Sequence, residues 1–196
     1  MQIEGWDFYK LEDIADINPS KSPRPENGLA SFIPMESVSE SAKMLNHQVK
    51  PYDEIEKGFT SFKNSDVLVA KITPCFENGK GALVENLENG IGFGSTEFHV
   101  LRANGKSISK YLYYLTNSHE FRIRGEMNMQ GSAGQKRVTT DYLKSYKVNL
   151  PPIEEQKKIA TILSTWDKAI ETVEKLVANS QRQKKALMQQ LLTGQK

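Results

Sequence analysis

The sequence predicts an α+β fold, in which a globular mixed α/β domain at residues 1–150 is followed by a long C-terminal coiled-coil helix at residues 151–196. Two observations support this division. Short apolar runs rich in β-branched residues alternate with turn residues in the first part, as expected of strands. After Pro151-Pro152 the chain has no further proline, and no glycine before Gly194, so one continuous helix can form.

Apolar runs bounded by turn residues predict the elements of the first part in chain order. We expect an irregular loop at 20–28, strands at 66–72, 81–84 and 98–101, a helix at 109–116, a second loop at 129–135 and a strand at 147–150. The first of these strands is the clearest, since Asn64-Ser65 and Thr73-Pro74 bound it. Ser107 or Ser109 is expected to cap the helix that follows the third strand.

The C-terminal segment carries a regular apolar repeat. Its apolar residues follow one another at alternating steps of four and three, a pattern typical of helices that pair. The seam predicted to pair contains Ile159, Leu163, Trp166, Ile170, Val173, Val177, Leu187 and Leu191, interrupted by the polar residues Ser180 and Lys184. A helix over residues 153–192 would be roughly 60 Å long. It either folds back on its own domain or pairs with a helix of a second copy or of another protein, and the regular seam favours pairing.

The charge distribution suggests a basic surface in the second half of the domain. The net charge is +2, yet residues 1–100 carry 9 Lys and Arg against 16 Asp and Glu, while residues 101–150 carry 9 against 3. The excess between Arg102 and Lys147 is what a phosphate-facing surface needs. An ordinary solvated surface would show the same excess.

Composition favours a protein of the reducing cytoplasm. Cys75 is the single cysteine, which excludes an internal disulfide and a cysteine-based zinc cluster. No stretch approaches the ~20 apolar residues of a membrane helix, and the first ten residues lack the pattern of a secretory signal. We therefore expect a cytoplasmic location.

Motifs of a self-contained enzyme are missing from the sequence. Residues 150–153 lack the Asn or Asp and the final aromatic residue of an amino-methyltransferase motif, and there is no Gly-x-x-x-x-Gly-Lys-Ser/Thr phosphate loop. The glycine-rich run 90–94 precedes a strand and not a helix, so we expect a turn there. His47, His99 and His119 are not at the spacing of metal ligands, and no base is apparent for Cys75. We expect no catalytic residue, metal or cofactor.

The residues around the start of the predicted helix form a distinctive pattern. A strand ending in Leu150-Pro151-Pro152 leads to Glu155-Gln156 and the long helix, which ends in Leu191-Leu192-Thr193-Gly194. This pattern resembles the conserved region of the specificity (S) subunits of Type I restriction–modification enzymes. Gly5-Trp6 with residues 10–15, and the segments 66–74 and 95–101, are similar to parts of the recognition domain in that family.

The resemblance implies a division of labour between subunits. S subunits recognise double-stranded DNA through target-recognition domains, while their helices bind the modification (methyltransferase) subunits and set the distance between the domains. Methylation with S-adenosylmethionine and ATP-driven cleavage belong to other subunits, so this chain is expected to be non-catalytic and to meet the restriction subunit only indirectly.

A full-length S subunit has two recognition domains and two helices, whereas this chain has one of each. The resemblance therefore implies a homodimer, or one half of a longer subunit, that reads half of a bipartite target. Two other functions remain open: a recognition module of a Type II restriction–modification enzyme, and a coiled-coil scaffold that does not bind DNA.

Residue chemistry nominates the side chains that would face DNA. Amides, hydroxyls and cations read base edges and hold phosphates. The loop 130–137 combines such groups with glycines that permit close backbone approach, and an ordinary surface loop is the alternative. Segments 20–24 and 73–80 are second choices. The complete predicted set is Ser20, Lys21, Arg24, Lys71, Thr73, Lys80, Gln130, Ser132, Gln135, Lys136 and Arg137.

Overall fold

The computed structural model describes residues 4–132 and 134–194. Contacts divide the chain into one compact unit that ends at Lys157 and a second that begins at Lys158. The predicted domain boundary at 150 and 151 stays a prediction. The strands are β1 (Asp7–Lys10), β2 (Ala15–Ile17), β3 (Leu29–Ile33), β4 (Gln48–Pro51), β5 (Thr60–Lys63), β6 (Val67–Ala70), β7 (Gly81–Leu83), β8 (Ile91–Gly94), β9 (Phe98–Ala103) and β10 (Lys147–Leu150). The α-helices are α1 (Leu11–Ile14), α2 (Tyr52–Ile55), α3 (Ser109–Thr116), α4 (His119–Met127), α5 (Thr140–Ser145) and α6 (Ile153–Thr193).

The predicted fold class, a mixed α/β domain followed by a long helix, is confirmed. The strands expected at 66–72, 81–84, 98–101 and 147–150 are β6, β7, β9 and β10, and the helix expected at 109–116 is α3. The loop expected at 20–28 is irregular between β2 and β3. The loop at 129–135 is also irregular, but Ala133 in it lies outside the described residues.

Two four-stranded sheets form the framework of the first unit. One has the order β2-β9-β6-β7 and is antiparallel throughout, while the other has the order β4-β3-β8-β5 with β3 and β8 parallel. β1 and β10 form a separate antiparallel pair, which brings the start of the unit beside its end. All four side chains of β6 are at most 1% exposed, as its uninterrupted apolar sequence predicts.

The core lies between the two sheets. Ile33 and Phe62 of the mixed sheet belong to the same buried cluster as Leu68, Phe98 and Val100 of the antiparallel sheet. Burying side chains of this size contributes about 1.5–3 kcal/mol each. These shared contacts hold β6 and β9 firmly against the mixed sheet.

The expectation of a turn at 90–94 is wrong in its larger part. Only Glu88–Gly90 forms a short 3₁₀ turn, and Ile91–Gly94 is strand β8 with partners on both sides. The glycines are needed for packing: a Cβ on Gly92 would lie 2.2 Å from the ring of Phe62, and one on Gly94 would lie 2.3 Å from the carbonyl oxygen of Ile33. Glycine here marks close approach within a sheet.

The expectation that Ser107 or Ser109 caps α3 is also wrong. Ile108 occupies the N-cap position without a side-chain cap. The Ile108 N–H instead donates to Oε1 of Gln156 over 3.1 Å, while the Ser107 hydroxyl donates to the Ile14 carbonyl over 2.6 Å. Gln156 is fully buried, and its amide also donates to the carbonyls of Lys106 and Pro151. A distant side chain thus replaces the local cap.

The helix α6 spans 41 residues, close to the predicted 153–192. Of the predicted seam, Ile159 is half-buried. The rest of the predicted seam, Leu163, Trp166, Ile170, Val173, Val177, Leu187 and Leu191, is between 39% and 80% exposed. An exposed apolar stripe of this length, interrupted by Ser180 and Lys184, is typical of surfaces that contact another molecule, and pairing through it stays a prediction. No helix within residues 4–132 and 134–194 is both long and apolar enough to cross a membrane.

Candidate nucleic-acid interface

A short backbone ladder gathers several of the predicted DNA-facing residues beyond the end of β6. The Thr73 N–H donates to the Lys136 carbonyl and the Val138 N–H to the Lys71 carbonyl, both over 2.9 Å. Gln130 and Arg137 exchange two further backbone hydrogen bonds, of 2.9 and 2.8 Å. The segments 71–73, 136–138 and residue 130 therefore lie side by side.

The ladder closes the loop 130–137 at its base and leaves its tip exposed. Gly131 and Gly134 have φ values of +126° and +82°, which favour glycine. A Cβ on Gly131 would also lie 2.7 Å from the carbonyl oxygen of Gln135. Among the described residues of this tip, the side chains of Ser132, Gln135 and Lys136 are exposed.

Arg137 occupies the base of the loop, where its guanidinium binds Glu97. Its Nε lies 3.0 Å from Oε2 and its Nη2 lies 2.8 Å from Oε1 of that carboxylate. The hydrogen bonds from Arg137 hold the pKa of Glu97 below its ordinary value, and the same pair raises the pKa of Arg137. The two side chains form a charge-neutral pair within the otherwise basic loop.

Lys71 and Thr73 differ in their surroundings although both belong to the ladder. The Thr73 hydroxyl donates to Oε1 of Glu77 over 2.8 Å, so it is engaged within the protein. Neither Lys71 nor Lys136 has a side-chain hydrogen bond or ion pair to any of residues 4–132 and 134–194. Lys136 is exposed, whereas Lys71 is half-buried and its charge acts on Glu97.

The second-choice segment 20–24 lies elsewhere, and its two cations have partners within the unit. Lys21 contacts both the backbone and the carboxylate of Glu56, at 2.9 and 3.2 Å. Arg24 binds Asp53 through two nitrogens, each at 3.1 Å, which lowers the pKa of that carboxyl. These contacts attach the segment 20–24 to the region of α2, with Ser20 exposed beside them.

Lys80 is also separate from the loop 130–137. Its ammonium donates to the carbonyl of Met35 over 3.3 Å, and the turn before it packs against Glu40. The structure therefore brings together Lys71, Thr73, Gln130, Ser132, Gln135, Lys136 and Arg137. It places Ser20, Lys21, Arg24 and Lys80 in other parts of the unit.

The basic excess between residues 102 and 147 does not form a single free surface. Each of its four arginines has partners within the unit: Arg102 binds Asp66, Arg122 binds the carbonyls of Phe76 and Gly79, Arg124 binds Glu120, and Arg137 binds Glu97. Lysines of the segment such as Lys110, Lys136 and Lys144 are exposed as well.

Sequence reasoning missed two residues that support this surface. Asn18 accepts from the Val100 N–H over 3.0 Å and contacts His99 and Thr140, so it joins β9 to the chain beyond the loop. Glu97 was overlooked because an acidic residue before a strand carries no sign of its partner 40 positions away. Among the described residues, no cluster of three or more His, Cys, Asp or Glu side chains could hold a metal ion.

A known protein family matches most of the chain. Residues 3–179 match the family described as "Type I restriction modification DNA specificity domain", which is more than half of the chain. The chain belongs to this family. The matched region of this specificity domain includes the ladder, the loop 130–137 and α6 as far as residue 179.

Several curated proteins are similar to this specificity domain. It is 41% identical over 158 residues to the type I restriction enzyme EcoAI specificity subunit of Escherichia coli, and 37% identical over 163 residues to the EcoEI specificity subunit of that species. These matches cover 80% and 82% of the chain and 27% of each relative. A putative type I restriction enzyme MjaX specificity subunit from Methanocaldococcus jannaschii is 26% identical, covering 97% of the chain and 46% of the relative. The chain thus spans about a quarter to a half of these relatives.

Solved structures show the same fold. The HsdS subunit from Thermoanaerobacter tengcongensis superposes with a TM-score of 0.72 at 22% identity, over 98% of this chain and 50% of that one. The S subunit of a Type-I restriction-modification system from M. genitalium gives 0.53 at 16% identity, over 85% and 40% of the two chains. The two sheets and the long helix of the specificity domain therefore form a fold that is also seen in solved structures.

Proposed function

We propose that this chain is a DNA target-recognition module of a Type I restriction–modification enzyme, which reads one half of a bipartite target and has no catalytic site of its own. The observation that carries the proposal is the specificity-domain match from residue 3 to residue 179, through both the globular unit and most of α6. The relatives from Escherichia coli are named as specificity subunits of such enzymes. The proposed function is carried out in the cytoplasm, where its DNA lies.

The surface at the loop 130–137 is the part that we propose faces DNA. Ser132, Gln135 and Lys136 are exposed at a tip whose glycines allow a phosphate or base edge to approach the backbone closely. Hydroxyl and amide groups are suited to reading base edges in the major groove. Lys71 adds a second free ammonium beside the ladder, and an ammonium suits a phosphate as a point charge.

We assign the assembly role to α6. Its exposed apolar seam would pair with the same helix of a second copy, or with the other half of a longer subunit, and the helices would bind modification subunits. The restriction subunit would be reached only through that complex. The alternating four and three spacing supports pairing because it keeps one stripe facing a partner helix along its length.

Titration of the intact chain with DNA tests the proposal. Fluorescence anisotropy with a labelled duplex of arbitrary sequence should show weak binding that falls steeply as salt is raised, because phosphate contacts dominate the affinity of one reader. Substituting Lys136→Ala should weaken binding to every sequence and lower the slope of log K against log salt by about 1.

A matched control is Lys110→Ala, which removes an exposed lysine from the first turn of α3. It should leave both the affinity and the slope unchanged. Binding that is equally strong at low and high salt would contradict a phosphate-facing surface. Equal loss in the Lys110 and Lys136 variants would show that the DNA face lies elsewhere.

A further inference from the structure

All three nitrogens of the Arg137 guanidinium donate hydrogen bonds within the protein. Nε and Nη2 bind the two oxygens of Glu97, and Nη1 donates to the Gln135 carbonyl over 3.2 Å. A bidentate pair of this kind is the strongest and most directional form of an Arg–carboxylate contact. These contacts engage three of the five guanidinium N–H groups and hold the plane of the guanidinium in one orientation.

Glu97 is itself held in place from two sides. Its N–H donates to the Ser95 hydroxyl over 3.2 Å, and its carbonyl accepts from the Lys71 N–H over 2.9 Å. Glu97 therefore sits at the start of β9, whose following residue Phe98 is buried in the core between the sheets. The carboxylate is fixed to the rigid framework and not to the loop.

The contact between Glu97 and Arg137 connects the start of β9 to the loop 130–137. Arg137 also exchanges two backbone hydrogen bonds with Gln130, at the other end of the loop. Its Nη1 contact adds the Gln135 carbonyl, which is on the tip side. The backbone of Arg137 thus holds the far end of the segment that carries Ser132, Gln135 and Lys136, while its side chain holds the near end to Glu97.

Electrostatics also favours a structural use of this pair. A lone carboxylate on a DNA-facing surface would repel phosphates, and Arg137, with a smaller contribution from Lys71, offsets the charge of Glu97. The side chain of Arg137 is 42% exposed and that of Glu97 is 25% exposed. Solvent therefore screens the pair, and its contribution to folding stability is small. The pair is suited to setting geometry.

We propose that Glu97 and Arg137 are positioning residues, which hold the loop 130–137 in one shape so that Ser132, Gln135 and Lys136 meet DNA in a fixed arrangement. This inference rests on the proposed function. It assigns sequence preference to the shape of the loop, and it removes Arg137 from the set of DNA-contacting side chains. Loss of the pair then costs discrimination between sequences more than it costs affinity.

The test uses the intact chain and two DNA probes. A duplex selected by the wild-type chain from a pool with a randomised core serves as the preferred probe, and the same duplex with its core scrambled serves as the reference. The ratio of the two affinities measures sequence preference, and the salt slope on the scrambled duplex counts phosphate contacts. The variants are Glu97→Gln, the double variant Glu97→Gln/Arg137→Met, and Lys136→Met as a matched loss of one neighbouring cation.

The double variant exchanges a neutral pair for a neutral pair. We expect its salt slope to equal that of the wild type, while Lys136→Met lowers the slope by about 1. We expect the affinity ratio to fall about tenfold in the double variant, the worth of one well-placed base contact. Glu97→Gln should lower the ratio to a similar extent, although it adds a net positive charge, and the urea midpoint of unfolding should move little.

Two outcomes would overturn the inference while leaving the proposed function intact. One is a slope in the double variant that falls as it does in Lys136→Met, which would make Arg137 a phosphate contact. The other is a Glu97→Gln variant that binds both duplexes more tightly with an unchanged ratio, which would mean that Glu97 only restrains a DNA-binding arginine. A wild-type chain that selects no sequence from the pool refutes the recognition function itself, and the positioning role with it.

Discussion

At the residue scale, arginine and lysine have different roles in the globular unit. Arg102 makes two 2.8 Å contacts with Asp66, a carboxylate that is fully buried. Arg122 lies over the ring of Phe76 and donates to backbone carbonyls of the turn that follows it, and burial lowers its pKa to about 10. The planar fork of arginine suits such fixed contacts, whereas lysine offers a single flexible ammonium, exposed at Lys136 and engaged within the unit at Lys21 and Lys80. A count of basic residues therefore overstates the charge available to DNA.

His99 predicts a pH dependence of stability. The ring is 2% exposed, and its Nε2 lies 2.8 Å from the Val138 carbonyl, so Nε2 carries the hydrogen and Nδ1 accepts from Asn18. Burial lowers the pKa of His99 below its ordinary 6.5; the hydrogen bond to Val138 and the charge of Glu97 oppose this shift, and the charge of Lys71 adds to it. The unfolded chain therefore binds a proton more readily than the folded one, and the free energy of unfolding should fall as pH drops below about 6.5.

Urea denaturation at a series of pH values checks this expectation. The variant His99→Gln should be less stable at neutral pH, because the ring is lost from a packed site, but its stability should change less between neutral and mildly acidic pH. His119→Gln, at an exposed position of α4, is the control and should follow the wild type. Parallel pH profiles for the wild type and His99→Gln would contradict a buried neutral histidine.

At the element scale, the predicted seam of α6 is exposed, and we expect a partner helix to bury it. Trp166, Ile170 and Val173 are each more than half exposed in a single chain. Burying apolar surface contributes roughly 25 cal/mol per Å² to the free energy of association. The contribution therefore grows with the length of the seam that is covered. Ser180 and Lys184 line a groove on the same stripe with Val173, Leu176 and Val177. Polar residues at such positions set register and orientation in paired helices.

Charges on the seam should prevent α6 from pairing. Val173→Asp/Val177→Asp places two carboxylates where apolar side chains would meet, so we expect monomers by sedimentation equilibrium under conditions where the wild type dimerises. The control Asn179→Asp/Ala186→Asp adds the same charge on the opposite stripe of the helix and should remain dimeric. A wild-type chain that stays monomeric at high micromolar concentration would rule out the homodimer and leave a helix that awaits another polypeptide.

At the scale of the whole molecule, pairing of two chains about a twofold axis would determine the symmetry of the DNA target. Two identical readers related by a twofold axis select an interrupted palindrome, and the helices set the gap between its halves. This chain matches 50% of the length of the HsdS subunit from Thermoanaerobacter tengcongensis. A pair of the present chains would supply two readers and two helices.

Removing one heptad from α6 tests this arrangement. Deleting residues 173–179 keeps the seam in register and shortens the helix by about 10 Å. Selection from randomised duplexes should recover the same half-sites with a gap shorter by about three base pairs, at roughly 3.4 Å per step. Deleting 173–176 alone breaks the register and should yield monomers that select a single half-site. An unchanged gap after the heptad deletion would show that the helix does not space the readers.

The sequence by itself determined the features that depend on local pattern. The buried strand β6, the helix α3 and the long α6 follow from runs of apolar residues and their spacing, because each of these elements has a period that can be read along the chain. The family resemblance of the Leu150-Pro151-Pro152 region was equally visible, and the match over residues 3–179 confirms it.

Only the tertiary structure decided the features that depend on partners distant in sequence. Residues 91–94 look like a turn until β3 and β5 provide neighbours on both sides and Phe62 takes the space above the glycines. The start of α3 is satisfied by Gln156, 48 positions away. Arg137 looks like a free cation until Glu97, 40 positions away, binds it. Hydrogen bonds and ion pairs act over ångströms in space, so local sequence carries no record of which distant side chain completes them.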